Sequence, residues 1–169
     1  MPLIVSPLRD VSTVVRFKRP SHLITLLDPH LMSDAPRFFP DRHLKIAVDD
    51  IWEPVVGKVL PHPDLVGRIL DFGRTWDGQS PLLVHCWAGV SRSTATAFIL
   101  ACEHNPGMAE TDIAQALRKA SSSATPNPLL VRLADDMMGR KGRMVDAVAA
   151  IGQGAYAYPG SPFELSLKA

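Results

Sequence analysis

The sequence has 169 residues, with 18 lysines and arginines against 17 aspartates and glutamates, a formal net charge of +1 at pH 7. This length predicts one compact domain, and the balanced charge excludes a broad basic surface for nucleic acid or an anionic membrane. Charged residues interrupt every apolar run, and the apolar start at 1–5 is too short for a signal peptide. We therefore expect a soluble, cytoplasmic and monomeric protein without nucleic-acid or membrane partners.

In chain order, the first half of the sequence predicts a strand at 3–6, a short helix at 8–17, a strand at 22–27, a proline-containing loop at 29–42 and a strand at 44–48. The second half predicts an amphipathic helix at 64–76, a strand at 82–85, an alanine-rich helix at 93–104 and further helices at 110–121, 128–138 and 142–151. This order is typical of an α/β fold with a central, mostly parallel sheet of about four to five strands flanked by helices.

The domain is predicted to cover residues 1–151. The remainder, 152–169, contains glycine, proline and serine without sustained periodicity, so we predict an irregular C-terminal tail. Neither an internal repeat nor a second domain is indicated.

Only two cysteines, Cys86 and Cys102, are present, which is typical of a protein from a reducing compartment without a disulfide framework. Cys102 falls in the helix predicted at 93–104, on the order of 15 Å along its axis from Arg92, too far for a bridge to Cys86. We interpret Cys102 as a small core residue. A metal site is not expected, because Cys102 and the nearby His104 are not joined by a second cluster with the spacing of zinc ligands.

Cys86 stands between a predicted strand and a predicted helix. A thiol is nucleophilic only as the thiolate, and backbone N–H groups together with the positive end of a helix dipole stabilise that anion. The same donors can surround a tetrahedral phosphate. The residues predicted to bind phosphate in this way are Trp87, Ala88, Gly89, Val90, Ser91 and Arg92.

Side chains of this segment complete the predicted site. The guanidinium of Arg92 can hold two phosphoryl oxygens at once, and Ser93 can donate a hydrogen bond to the sulfur. His85 can hold the loop by bonding to backbone groups. Alone, Cys86 would more often be a structural thiol and Arg92 a solvated side chain, but their fixed combination favours a site.

The segment His85-Cys86-x-x-Gly89-x-x-Arg92-Ser93 resembles the signature of the protein tyrosine phosphatase superfamily, and 88–93 is most similar to its dual-specificity branch. This resemblance covers roughly 23–133 and implies a single dual-specificity phosphatase-like domain. It also implies that Cys86 is the nucleophile, that Arg92 binds phosphate, that Ser93 assists the sulfur, and that no cofactor or metal is needed.

A phosphatase of this kind needs a carboxylic acid to protonate the leaving oxygen. Asp49 and Asp50 follow the strand predicted at 44–48, and the segment 44–50 resembles the family's strand that leads to its acid. We choose Asp50 as the general acid and expect Asp49 to cap the following turn. The classical Trp-Pro-Asp triplet is absent, whereas the order of acid, cysteine and arginine favours the dual-specificity topology. The segment around Asn127 resembles a family segment near the phosphate loop, so Asn127 either braces the site or is an ordinary turn residue.

These features predict a hydrolase that removes phosphate from a phosphomonoester through a phosphocysteine intermediate. Phosphotyrosine in a protein is the leading substrate, and phosphoserine or phosphothreonine would require a shallow pocket. Two alternatives stay open, a non-catalytic phosphate-binding module and a rhodanese-like sulfurtransferase, although Arg92-Ser93 disfavours the latter.

Overall fold

The computed structural model describes residues 1–167. Its centre is one sheet of five strands, arranged in the order β3-β2-β4-β1-β5. The strands are β1 (Pro2–Pro7), β2 (His22–Leu27), β3 (His43–Ala47), β4 (Leu82–Cys86) and β5 (Phe163–Ser166). The first four strands run parallel, and β5 pairs antiparallel with β1. The predicted α/β fold with a mostly parallel sheet is confirmed.

The helices are α1 (Val11–Lys18), α2 (Pro63–Arg74), α3 (Arg92–His104), α4 (Glu110–Ala120), α5 (Pro128–Met137) and α6 (Arg143–Ile151). Short 3-10 turns lie at Leu8–Asp10, Pro29–Asp34 and Pro40–Arg42. The predicted helix at 8–17 therefore begins as a 3-10 turn, and the predicted loop at 29–42 contains two such turns. The other predicted helices differ from the observed ones by two residues or fewer at each end. Within residues 1–167, none of the helices combines the length and the apolar character that a membrane span requires.

The two faces of the sheet are covered unequally. Side chains alternate along each strand, so Val84 of β4 faces the large core formed with α2 to α6, whereas its neighbour Leu83 faces the other side. There Leu83 packs with Val11 and Val14 of α1. Because β4 is covered on both faces, all five of its residues are buried, as expected of a central parallel strand.

The tail predicted to be irregular contains a strand, so this part of the domain prediction needs correction. Strand β5 pairs with β1 from Val5 to Pro2, and Leu165 is fully buried in the main core. A run of four residues with one buried side chain carries too little periodicity to be identified from sequence. The last two residues of the predicted tail lie outside the described residues.

Parallel strands place several chemically useful side chains at the same edge of the sheet. Asp28 follows β2, Asp49 and Asp50 come shortly after β3, and the cysteine loop follows β4. Loops beyond the carboxyl ends of parallel strands are where α/β proteins bind ligands. The fold therefore brings three separate parts of the sequence together around Cys86.

Candidate active site

The loop 87–91 reverses the chain between β4 and α3 within five residues. Its tightest point is Gly89, whose φ of +70° is a conformation that favours glycine. A Cβ atom at this position would lie 2.6 Å from the backbone nitrogen of Pro7, so the loop also passes too close to β1 for any side chain. Glycine is therefore required here for two separate reasons.

Carbonyl groups of the loop point outward, where other segments bind them. The carbonyl of Trp87 accepts from the amide of Leu8 at 3.0 Å, and that of Ala88 accepts from Gly160 at 2.9 Å. The carbonyl of Val90 accepts from Thr125 at 2.9 Å. In a trans peptide the C=O and the following N–H point in opposite directions, so the amides that follow these carbonyls face the inside of the loop. The loop thus offers a concave set of N–H donors to an anion.

The sulfur of Cys86 lies at the base of this concave surface, with its side chain only 2% exposed. The amide of Gly89 donates to Sγ at 3.3 Å, and the Ser93 hydroxyl oxygen lies 3.1 Å from it. Donors directed at sulfur stabilise a thiolate rather than a thiol. The structure therefore brings Cys86 and Ser93 into the contact that their predicted roles require.

Arg92 is held from behind by two acceptors. Its Nη1 donates to Asp28 Oδ1 and to the backbone oxygen of Val48, both at 2.7 Å. Its Nε is buried and makes no hydrogen bond within residues 1–167. A buried donor without a partner is costly, and bidentate guanidinium binding to phosphate would use the edge that carries Nε. The side chain is thus oriented for an oxyanion in the same pocket as Cys86.

The two adjacent aspartates have different surroundings. Asp49 is buried, and its carboxylate accepts from the amide of Val59 at 2.7 Å and lies 3.7 Å from the ammonium group of Lys58. It therefore fastens the loop 51–60, which agrees with the turn-capping role expected of it. Asp50 is exposed and faces the cysteine pocket, where its Oδ1 accepts from the Ser91 hydroxyl at 2.7 Å.

Asn127 connects Asp50 to the helical layer. Its Nδ2 donates to Asp50 Oδ1 at 2.9 Å, while its Oδ1 accepts from the amides of Leu129 and Leu130, each at 3.1 Å. The second pair of contacts caps the N-terminus of α5. Asn127 thus orients Asp50 and caps a helix with one side chain, so it is more than an ordinary turn residue.

His85 belongs to a buried chain of hydrogen bonds. Its Nδ1 lies 3.0 Å from the Cys86 carbonyl, which can only accept, so Nδ1 carries the proton. Its Nε2 then accepts from the hydroxyl of Thr25 at 2.7 Å, and Thr25 accepts from His43 at 2.7 Å. Burial lowers the pKa of His85 and of His43 to about 4 in each case, so both rings are neutral at pH 7. This chain fixes the backbone at Cys86, the supporting role predicted for His85.

A pocket of about 340 Å³ opens above the sulfur. It is lined by Asp28, Asp49, Asp50, Ile51, Lys58, Cys86, Trp87, Ala88, Val90, Ser91, Arg92 and Tyr158. The predicted residues from Cys86 to Arg92 therefore meet in one place, apart from Gly89, whose contribution is the turn itself.

Asp28, Thr25 and Tyr158 belong to the site but are not among the residues predicted from the sequence. Asp28 directly follows the strand predicted at 22–27, and an acidic residue after a parallel strand is a signal for a residue at the ligand-binding edge. Thr25 lies inside a strand and carries no such signal. Tyr158 lies in the tail for which no structure was predicted.

Comparison of the sequence with family models and with curated proteins finds no match. Comparison of the structure finds 40 solved chains with a similar fold. The human tyrosine phosphatase-like serine/threonine/tyrosine-interacting protein has a TM-score of 0.61 and 17% identity over 82% of this chain and 92% of its own. DUSP15 has a TM-score of 0.59 and 19% identity over 88% of this chain and 89% of its own.

A third similar structure is PTPMT1, solved in complex with PI(5)P, with a TM-score of 0.58 and 14% identity over 82% of this chain and 94% of its own. These structures agree with the fold implied by the signature around Cys86. The chain therefore has the fold of dual-specificity phosphatases.

Proposed function

We propose that this chain is a cysteine-dependent hydrolase of phosphomonoesters, with phosphotyrosine in a protein as its substrate. One observation carries the proposal: Cys86, Arg92 and Asp50 line a single pocket around a sulfur that already accepts a hydrogen bond from Gly89. Nucleophile, anion clamp and acid are the three groups that phosphoryl transfer to a thiolate requires.

In the first step the Cys86 thiolate attacks phosphorus, the S–P bond forms and the P–O ester bond breaks. Asp50 transfers its proton to the departing oxygen, so a tyrosine leaves as a neutral phenol. Arg92 and the inward-facing amides neutralise the equatorial oxygens as their charge is redistributed. The products of this step are the free alcohol and a phosphocysteine.

In the second step water attacks the phosphocysteine while the Asp50 carboxylate takes one of its protons. The P–O bond forms, the S–P bond breaks, and inorganic phosphate is released. Ser93 donates to the sulfur as it leaves and thereby stabilises the restored thiolate, in keeping with the 3.1 Å contact between the two side chains. Asp50 regains its proton, so the cycle closes without a metal or cofactor.

We favour phosphotyrosine over substrates that carry several phosphate groups because the cations at the pocket are already paired with carboxylates. Arg92 is already paired with Asp28, and Lys58 lies beside Asp49. Within residues 1–167, the cations that line the pocket are therefore already paired and attract further phosphate groups only weakly.

The test is turnover of phosphotyrosine and of an aryl phosphate, with release of inorganic phosphate as the readout. Wild-type protein should hydrolyse both, and the Cys86→Ser variant should lose activity entirely, whereas the Cys102→Ser variant should keep it. Full activity of Cys86→Ser would reject the proposal. Phosphate binding without turnover would identify a non-catalytic module, and turnover of thiosulfate in preference to aryl phosphate would identify a sulfurtransferase.

A further inference from the structure

The C-terminal segment 152–162 lies against the cysteine loop, after α6 and before β5. Gly160 donates to the Ala88 carbonyl at 2.9 Å, Ala155 donates to Ser122 at 2.8 Å, and Gly154 donates to the Thr125 hydroxyl at 3.0 Å. A Cβ at Gly154 would lie 2.6 Å from the backbone of Ser123, so the segment is in close contact there. Because β5 is also paired with β1, this segment is fixed at both ends and along its length.

One residue of this segment, Tyr158, reaches the active-site pocket. Its ring lies 4.7 Å from the ring of Trp87, centroid to centroid, with 31° between the planes. Both rings line the pocket that contains Cys86 and Arg92. Tyr158 is nevertheless 64% exposed, so much of its ring surface is left for another molecule.

The topology places this aromatic pair on one side of the sulfur. Strand β4, which ends at Cys86, lies between β2 and β1 in the sheet. The backbone of Trp87 is bound by Leu8, directly after β1, whereas Asp50 and Ile51 follow β3 on the other side. A substrate whose phosphate rests on the loop would therefore pass between an aromatic wall and the segment that carries the general acid.

We propose that Tyr158, backed by Trp87, is the specificity-determining residue that binds the aromatic ring of a phosphotyrosine substrate. This inference rests on the proposed function and goes beyond it, since it assigns the recognition of the ring to the C-terminal segment. Aromatic rings attract one another in offset and tilted arrangements, a gain that the short side chains of phosphoserine and phosphothreonine cannot obtain. The phosphate itself is bound by the loop, at a separate set of groups.

The test compares two peptides of one sequence that carry either phosphotyrosine or phosphothreonine, with kcat/KM as the readout. Tyr158→Ala should lower kcat/KM for the phosphotyrosine peptide by about three- to tenfold and leave the phosphothreonine peptide within about twofold. Tyr158→Phe should retain the wild-type preference, since the ring is kept. Tyr156→Ala is the matched control, because Tyr156 is 94% exposed in the same segment and does not line this pocket.

Binding distinguishes a failure of this inference from a failure of the proposed function. In a Cys86→Ser background, calorimetry would measure affinity for the phosphotyrosine peptide and for inorganic phosphate, with and without Tyr158→Ala. Weaker peptide binding with unchanged phosphate binding supports the inference even for a protein without turnover. In the kinetic experiment, an equal loss of kcat/KM for both peptides or an unchanged preference in Tyr158→Ala would overturn the inference. In the calorimetric experiment, it would be overturned if neither the phosphotyrosine peptide nor inorganic phosphate bound.

Discussion

The two cysteines of this chain lie at opposite ends of α3 and are both buried, yet their surroundings differ. Cys86 precedes the N-terminus of the helix, where the amide of Gly89 and the hydroxyl of Ser93 contact its sulfur. Cys102 lies in the last turn and is fully buried among apolar side chains. There desolvation raises the pKa of the Cys102 thiol to about 12.

Burial alone therefore does not determine whether the surroundings of a thiol stabilise its thiolate form. At the N-terminal end, the helix dipole, the inward-facing amides and Arg92 all favour negative charge. At the C-terminal end, desolvation raises the pKa of Cys102 by more than the nearby guanidinium of Arg140 lowers it, and Arg140 is itself paired with Glu110. From this difference we expect that position relative to the helix and the supply of hydrogen-bond donors determine which of the two thiols is reactive.

Alkylation would show the largest contrast between the two cysteines. At pH 8 a thiol of pKa about 12 is ionised to about one part in ten thousand, so iodoacetamide should modify Cys86 and leave Cys102 intact. Mass spectrometry of tryptic peptides gives the measurement, and inorganic phosphate should slow the reaction at Cys86. If Cys102 in the folded protein were modified at a rate comparable to that of Cys86, the expected difference in reactivity between the two thiols would be wrong.

Replacement of Asp50, the proposed general acid, would test the role assigned to the Cys86 end of α3. Asp50→Asn should lower kcat for phosphotyrosine by about 100- to 10,000-fold, because the leaving phenolate would depart without a proton. The loss should be smaller for an aryl phosphate with a more acidic leaving group. Asp49→Asn is the control, since Asp49 holds Val59 and Lys58, and it should retain most of the activity. Equal losses in the two variants would contradict the assignment of Asp50.

Measuring stability as a function of pH would test whether burial shifts the pKa of His85, as it shifts the pKa of Cys102. Because the pKa of His85 is lowered to about 4 in the folded state, the unfolded chain binds more protons between pH 6.5 and 4. The stabilisation is thus present above pH 6.5 and is lost as the pH falls through this window, by on the order of 3 kcal/mol. Urea unfolding at several pH values measures it. The slope should become shallower in His85→Gln, and an identical slope in that variant would argue against a neutral, buried His85.

The smallest of these effects is expected from the residue that orients Arg92. Asp28→Ala removes an acceptor of a charge-assisted hydrogen bond, so kcat/KM should fall by about 10- to 100-fold and inhibition by inorganic phosphate should weaken. Asp34→Ala, at an exposed position in the next turn, should behave as wild type. Wild-type kinetics in Asp28→Ala would mean that Val48 alone suffices to hold the guanidinium.

The sequence predicted those parts of the molecule in which local pattern and local chemistry coincide. The strand, loop and helix around Cys86 are contiguous, so the fold of this region and the clustering of Cys86, Arg92 and Ser93 could be predicted together. The four parallel strands were predictable because each contains a short, mainly apolar run, interrupted by Lys45 in β3 and by Thr25 in β2, and is followed by polar or proline residues.

What could not be predicted depends on contacts between distant parts of the chain. Asp28 and Thr25 lie about sixty residues before their partners in the site, at separations of 64 and 60. Tyr158 and β5 come from a segment whose structure is stabilised by the loop and by β1, not by its own periodicity. The position of Asp28 after a strand was the one available signal, and the tertiary contacts themselves leave no local signature in a single sequence.

The outward-facing carbonyls of the cysteine loop have a consequence for the whole molecule. Each one is bound by a different stretch of chain, through Leu8, Thr125 and Gly160. If any of these stretches were to detach, a freed carbonyl could rotate inward and present its negative end to the phosphate. Anion binding would then be confined to molecules in which all three stretches are bound to the loop. Local unfolding of any one of them would abolish phosphate binding at Cys86.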